Sequence, residues 1–111
     1  MVIGETLMML AGAPYYSPQF TRGGNAAVFS CEILQLAGGI GLTLGVTVEH
    51  KNADDVAWGA LVAFPAMGAP GVTSATASAI KEQLRFKYVV AGVAPTDAVC
   101  FNVLAPSWRP Y

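Results

Sequence analysis

The feature that most constrains this chain is a recurring alternation of apolar and polar residues with a period of two. In the segment 42–50 the apolar residues fall on one face; they are Leu42, Leu44, Val46 and Val48. The residues between them are Thr43, Gly45, Thr47 and Glu49. Because successive side chains of a β-strand point to opposite sides, this pattern predicts a strand with one buried face.

Four other segments predict further strands. The segment 84–90 repeats the alternation, with Leu84, Phe86, Tyr88 and Val90 on one face. The segment 26–36 is apolar on both faces, which is typical of a central strand covered by a second layer or by a neighbouring subunit. The remaining two are 98–104 and 56–64. In the last of these, Trp58 is expected to align with Phe64 on an apolar face and so to lie in the core.

The segments between the strands are rich in Gly, Pro, Asn and Asp, which are turn residues. Turns recur every dozen or so residues, and such spacing favours an all-β sandwich or barrel. The sequence therefore predicts one domain over residues 1–111, an antiparallel β-sandwich or β-barrel of jelly-roll type with at most one short helix. The alanines of the segment 74–83 leave that helix open, although Thr76 and Ser78 are poor helix formers.

The two ends of the chain are extended and aromatic, unlike disordered tails. Residues 1–24 and 105–111 are expected to contribute contacts between subunits, because Tyr and Trp are favoured at interfaces. Packing on the chain's own sandwich is an equally open alternative for both segments. The candidate interface residues are Tyr15, Tyr16, Phe20, Trp108 and Tyr111.

Charge and hydropathy restrict the partners. Hydrophobic residues make up 54% of the chain and charged residues 12%, whereas soluble domains average about 25% charged residues. Part of the surface is therefore expected to be covered by protein, either by copies of the chain or by another protein. A net charge of −1 argues against nucleic-acid binding. The uncharged segment 56–80 is interrupted by Pro and Gly, so no membrane span is predicted.

No chemical site stands out, and the sequence predicts no catalytic, cofactor-binding or metal-binding residues. His50 is the only histidine, and a triad built on it with Ser30 or Cys100 lacks any local nucleophile motif. Asp54 and Asp55 are expected to shape a turn. Cys31 and Cys100 match no metal-ligand spacing, and free thiols are favoured over a disulfide between them.

Four runs of sequence carry a family resemblance. They are Phe20–Ala27, Val46–Asn52, Leu84–Tyr88 and Leu104–Trp108. Together, over residues 17–111, they resemble small virion structural proteins of tailed bacteriophages. The resemblance implies a non-enzymatic protein made in the host cytoplasm and displayed in many copies on the virion, as a capsid decoration or minor capsid protein. It further implies contacts with a major capsid or other shell protein, and transfers no role to a single residue.

The low charge and aromatic ends lead independently to a self-associating subunit, expected to form a trimer or larger homo-oligomer. A tail or other virion component is one alternative. Another is a β-sandwich module that binds a carbohydrate or cell-surface ligand on a platform of aromatic rings. The rings available for such a platform are those of Trp58, Trp108, Tyr15 and Tyr16.

Overall fold

A computed structural model describes residues 6–10, 14–38, 41–92, 98–104 and 106–109. These residues form β-strands and no helix. The strands are β1 (Thr6–Leu10), β2 (Tyr15–Tyr16), β3 (Phe20–Thr21), β4 (Ala26–Ala37), β5 (Thr43–Lys51), β6 (Gly59–Ala63), β7 (Gly71–Ser78), β8 (Gln83–Ala91), β9 (Ala98–Val103) and β10 (Ser107–Arg109). No helix in the described part of the chain is long and apolar enough to cross a membrane.

The strands form two antiparallel sheets. In sheet I, β9 lies between β1 and β4, β10 continues along the same edge of β4, and β7 pairs with the other edge. In sheet II, β2 and β3 pair in succession with one edge of β8, β5 pairs with the other, and β6 lies beyond β5. The prediction of an all-β sandwich is confirmed.

The strand order can be described as one long hairpin that has been rolled up. Counting β2 with β3, and β9 with β10, as one interrupted strand each gives eight strands. The first strand then pairs with the eighth and the second with the seventh. The third strand pairs with the sixth and the fourth with the fifth. The first and third of these pairings make sheet I, and the other two make sheet II. This nested order is that of an eight-stranded jelly roll.

The core lies between the inner faces of the two sheets. The apolar faces predicted for β5, β8 and β9 point inward and are confirmed as buried, whereas only one of the two apolar faces predicted for β4 does so. Phe29 and Phe101 contribute from sheet I, and Phe86 and Tyr88 from sheet II. Tyr88 packs 5.3 Å from Phe101, centroid to centroid, so the rings of the two sheets are in contact. Such interdigitation of inner faces holds a sandwich together.

Two local expectations are corrected. The segment 74–83 is not a helix, because residues 74–78 continue β7 and pair in register with β4, and residues 79–82 form the turn into β8. Trp58 is not in the core. The pairing of β5 with β6 shifts between Val48 and Glu49, which leaves Leu61 as an extra residue. Side chains before a one-residue bulge point to the opposite face from the one that the alternation after it predicts. Ala60 and Trp58, which precede Leu61, therefore turn outward, while Phe64, which follows it, remains buried.

Candidate functional site

The predicted N-terminal interface residues form the edge of sheet II. Tyr15 and Tyr16 pair with β8 and are 44% and 49% exposed. Phe20 also pairs with β8, and its ring packs 5.4 Å from that of Phe86, so it contributes to the core. The described part of this segment is therefore an edge strand, which leaves the two tyrosines as its exposed aromatic groups.

The described part of the C-terminal segment forms β10, a strand of sheet I. Trp108 pairs with Ala27 in register, and its ring meets that of Phe29 edge to face at 6.1 Å. Gly23 lies directly beneath the indole, where a Cβ atom would stand 2.7 Å from the ring. The glycine thus allows the turn before β4 to approach Trp108 closely. Tyr111 lies outside the described residues.

The most organised polar group on the surface is centred on Arg85, on the outer face of sheet II. Its guanidinium carbon lies 4.2 Å from the ring centroid of Tyr16 and 4.6 Å from that of Trp58. Its Nε donates a hydrogen bond of 2.7 Å to Glu49 Oε1. Glu49 is the cross-strand partner of Arg85, and the bulge in β6 turns Trp58 toward the same place. We call Tyr16, Glu49, Trp58 and Arg85 the arginine stack.

The arginine stack brings together two of the four aromatic residues considered as a ligand platform. Trp108 packs on the core of sheet I instead, and Tyr15 pairs with the inward-facing Tyr88. In the arginine stack, the guanidinium already lies against the Tyr16 and Trp58 rings. A ligand at this place would meet the remaining ring surfaces and the neighbouring Lys87.

We expect Arg85→Ala to lower the free energy of unfolding by about 1–2 kcal/mol. The change removes a half-buried ion pair and two cation–π contacts, each worth from a few tenths to about 1 kcal/mol. Lys87→Ala is the matched control, because Lys87 lies on the same face of β8 and makes no ion pair with described residues. Denaturant unfolding followed by circular dichroism measures both. Equal effects of the two substitutions would contradict the arrangement of the stack.

A second polar cluster joins three loops at one end of the sandwich. The backbone N–H of Lys81 donates to His50 Nδ1 at 3.2 Å, and Lys81 Nζ lies 3.5 Å from Asp55 Oδ2. The same carboxylate oxygen accepts a 2.9 Å hydrogen bond from the Asn52 N–H. Asp55 therefore shapes the turn after β5, as its sequence position predicts.

The turn between β7 and β8 contacts both of the other loops at this end of the sandwich. Ala79 has a φ of 55°, in the left-handed region that only a minority of non-glycine residues occupy. The neighbouring Ile80 is buried, and its carbonyl accepts a hydrogen bond from the Arg22 guanidinium. Glu82 accepts a 3.1 Å hydrogen bond from the N–H of Ala53. The loops after β3, β5 and β7 thus support one another.

His50 is not placed with the nucleophiles considered from the sequence. Ser30 lies in sheet I, where its hydroxyl hydrogen-bonds that of Ser74 at 2.8 Å, and Cys100 also lies in sheet I. Among the described residues, no group of three His, Cys, Asp or Glu side chains is arranged to hold a metal ion. The second polar cluster, which contains His50, is held together by hydrogen bonds and an ion pair between loops.

The pKa of His50 is lowered from its ordinary value of 6.5, first by burial and then by the charge of Lys81, while Asp55 opposes the change. Because the unfolded chain takes up the proton more readily, His50 contributes stability above about pH 6.5. That contribution is lost as the pH falls through the lower pKa of the folded state. We expect His50→Gln to remove this part of the pH dependence. The free energy of unfolding is measured against pH for the unmodified protein and for His50→Gln. Curves that run parallel between pH 7.5 and 5 would contradict the contribution of His50.

The two cysteines are free and lie on opposite sides of sheet I. Cys31 points into the core, where burial raises the pKa of its thiol to about 12. It therefore stays protonated and is a poor nucleophile at neutral pH. Cys100 alternates with the buried Val99 and Phe101 and faces outward. The expectation of free thiols agrees with this geometry.

The outer face of sheet I is weakly charged. Its described residues on β4, β7 and β9 are small, polar or aliphatic apart from Glu32, and Arg109 lies at one end. A groove of about 470 Å³ opens there, lined by Ala26, Val28, Thr76, Ala77, Ser78 and Arg109. Val72 on β7 is 59% exposed. This face differs from the outer face of sheet II, which carries Lys51, Arg85 and Lys87.

Comparison of the chain with protein-family models, with curated proteins and with solved structures finds no match.

Proposed function

We propose that this chain is a non-enzymatic structural protein of a bacteriophage virion. In this role it decorates or stabilises the capsid through self-association and through contacts with the major capsid protein. The observation that carries the proposal is the strand order of a jelly roll, an architecture used by viral capsid domains. Lectin domains and cupins share this architecture, so the fold supports the role only together with the chemistry of the surface.

The surface supports an assembling subunit. The outer face of sheet I bears one acidic residue, Glu32, and exposes Val72, and Leu34 is 43% exposed where a bulge interrupts β4. Burial of apolar surface contributes about 25 cal/mol per Å² before the cost of association is subtracted. A weakly charged face can therefore be buried against a neighbour at little desolvation cost. Many copies on one particle would add multivalency to contacts that are individually modest.

The segments that resemble virion proteins form the framework of the fold. Phe20–Ala27 covers β3, the following turn and the start of β4, and Leu84–Tyr88 is the central part of β8. Leu104–Trp108 leads into β10 and supplies the indole that packs on Phe29. The resemblance therefore covers residues that contribute strands to both sheets of this sandwich.

Rebinding to particles tests the proposal. Purified protein is mixed with purified particles of the phage whose genome encodes the chain, stripped of the chain by mild denaturant, and sedimented. We expect saturable binding with a fixed ratio to the major capsid protein. An unrelated jelly-roll domain of similar size is the control. Protein that remains in the supernatant at all concentrations would overturn the capsid role, and binding confined to isolated tails would move the chain to the tail.

The arginine stack favours a second candidate, a module that binds a carbohydrate or cell-surface ligand. Tyr16 and Trp58 provide exposed ring surface beside charged hydrogen-bonding groups, a combination found in ligand sites. Glycan-array binding by the isolated protein tests it, with Trp58→Ala as the variant. Binding that Trp58→Ala abolishes, together with failure to bind particles, would favour this candidate over the capsid role.

A further inference from the structure

β7 is a long and regular edge strand. Its eight residues, Gly71–Ser78, pair with β4 from Ile33 to Ala26 without a register shift. On its other side, no strand among the described residues pairs with it. Every second residue of an antiparallel edge strand directs its N–H and C=O away from its neighbour. Half of the backbone N–H and C=O groups of β7 therefore point away from β4, toward a side on which no described strand pairs with them.

Sheet edges in natural proteins are usually protected by charge, proline, bulges or short length. The edge formed by β2 and β3 is interrupted at Pro18, and β6 is short and contains a bulge. At the far side of sheet I, β1 has five residues. The eight residues of β7 contain no charge and no proline. It is the edge with the least protection against pairing.

The side chains of β7 suit pairing on both of its faces. The outer row is formed by Val72, Ser74 and Thr76, which are exposed, and the inner row by Thr73, Ala75 and Ala77. β-Branched and small residues fit a pleated sheet and leave room for a neighbouring strand. An added strand would also continue the weakly charged outer face of sheet I in the same surface.

We propose that β7 pairs antiparallel with the β7 of a second copy, so that the two copies of sheet I form one continuous sheet about a two-fold axis. The occupant is a second copy because a two-fold axis sets β7 antiparallel to itself, and a strand without charged residues meets no like charge in any register of that pairing. β7 has no charged residue. The proposal deepens the self-association described above and rests on that part of the proposed function. An oligomer larger than a dimer, such as a tetramer or a hexamer, then requires a second surface in addition to β7.

A charged substitution on β7 tests the pairing by light scattering, without particles present. We expect the unmodified protein to have a mass of two chains of 11.5 kDa, or a multiple of two. Thr76→Lys should halve that mass, because it introduces into the contact, in both copies, a charge that has no acidic partner on β7. Ala63→Lys is the matched control, since Ala63 is an exposed residue on the edge strand β6. Both variants should keep the melting temperature of the unmodified protein at low concentration.

Cross-linking gives a second readout that does not depend on charge. Single cysteines are introduced as Val72→Cys, Ser74→Cys and Thr76→Cys in a Cys100→Ser background, in which the remaining Cys31 is buried. We expect at least one of them to form a disulfide-linked dimer on mild oxidation, whereas Ala63→Cys stays a monomer. Cross-strand neighbours across a pair lie close enough for such a bond.

Two results would overturn the pairing. One is an oligomer whose mass Thr76→Lys leaves unchanged, which would place the contact on another surface. The other is a monomer at every concentration, with no cross-linking at any of the three positions. Either result leaves the particle-rebinding experiment unaffected. Conversely, a β7 dimer that fails to bind particles would remove the capsid role and retain the pairing.

Discussion

Phe86→Ala should lower the free energy of unfolding by about 3–5 kcal/mol, the usual cost of removing a buried aromatic ring. Phe86 is fully buried and lies at the centre of a chain of rings. Its centroid is 5.4 Å from that of Phe20 on the edge of sheet II, 6.1 Å from that of Phe29 in sheet I, and 6.2 Å from that of Tyr88. Its loss would therefore loosen contacts within sheet II and between the sheets.

Urea unfolding followed by circular dichroism measures this effect. Domains are stable by about 5–15 kcal/mol, so Phe86→Ala should bring the protein close to unfolding. Phe86→Leu, which keeps most of the volume, should have a clearly smaller effect. Val56→Ala is the surface control, because Val56 is fully exposed, and its effect should stay within about 0.5 kcal/mol. An effect of Phe86→Ala as small as that of Val56→Ala would contradict the packing of the core.

The two tryptophans should differ strongly when each is replaced by alanine. Trp108→Ala should cost about 2–3 kcal/mol, below the range for a fully buried ring, because half-buried Trp108 packs on Phe29 and over Gly23. Trp58→Ala should cost less than about 1 kcal/mol, since Trp58 lies outside the core and contacts Arg85 and Lys51 through cation–π interactions. Each tryptophan thus serves as the control for the other.

Unfolding of these variants is best followed by circular dichroism at a strand wavelength, because each substitution removes a fluorescent reporter.

Gly24→Ala gives an independent check on the position of β10, since a Cβ there would stand 2.4 Å from the carbonyl oxygen of Arg109. The backbone of β10 would have to move, and we expect a loss of about 1–3 kcal/mol. Equal effects of Trp108→Ala and Trp58→Ala would contradict the placement of the C-terminal segment.

Much of the core could be predicted from the sequence, because alternation reports burial directly. The inward faces of β5 and β8, from Leu44 to Val48 and from Leu84 to Val90, follow the period of two without interruption. The same holds for Phe29 and Phe101 in β4 and β9. In these strands every second residue meets the opposite sheet, so local pattern and tertiary packing agree.

The direction of Trp58, the strand order and the arginine stack depended on features that the local pattern of residues does not report. A bulge at Leu61 reversed the direction of Trp58, although the sequence around it alternates as in a regular strand. The nested strand order depends on pairings between distant segments, such as β1 with β9. The arginine stack needs that order, because its residues come from β2, β5, β8 and the segment before β6. The cross-strand pair of Glu49 with Arg85 follows only once the register is known.

The copy number of this chain in purified virions tests the central claim most directly. The proposed role requires that a phage genome encodes the chain; particles of that phage are banded by density and analysed by quantitative mass spectrometry, with the major capsid protein as internal reference. We predict many copies per particle, in a fixed ratio to the capsid protein that survives repeated banding. A chain that is absent from the banded particles and recovered only from the unassembled fraction of the lysate would contradict the claim.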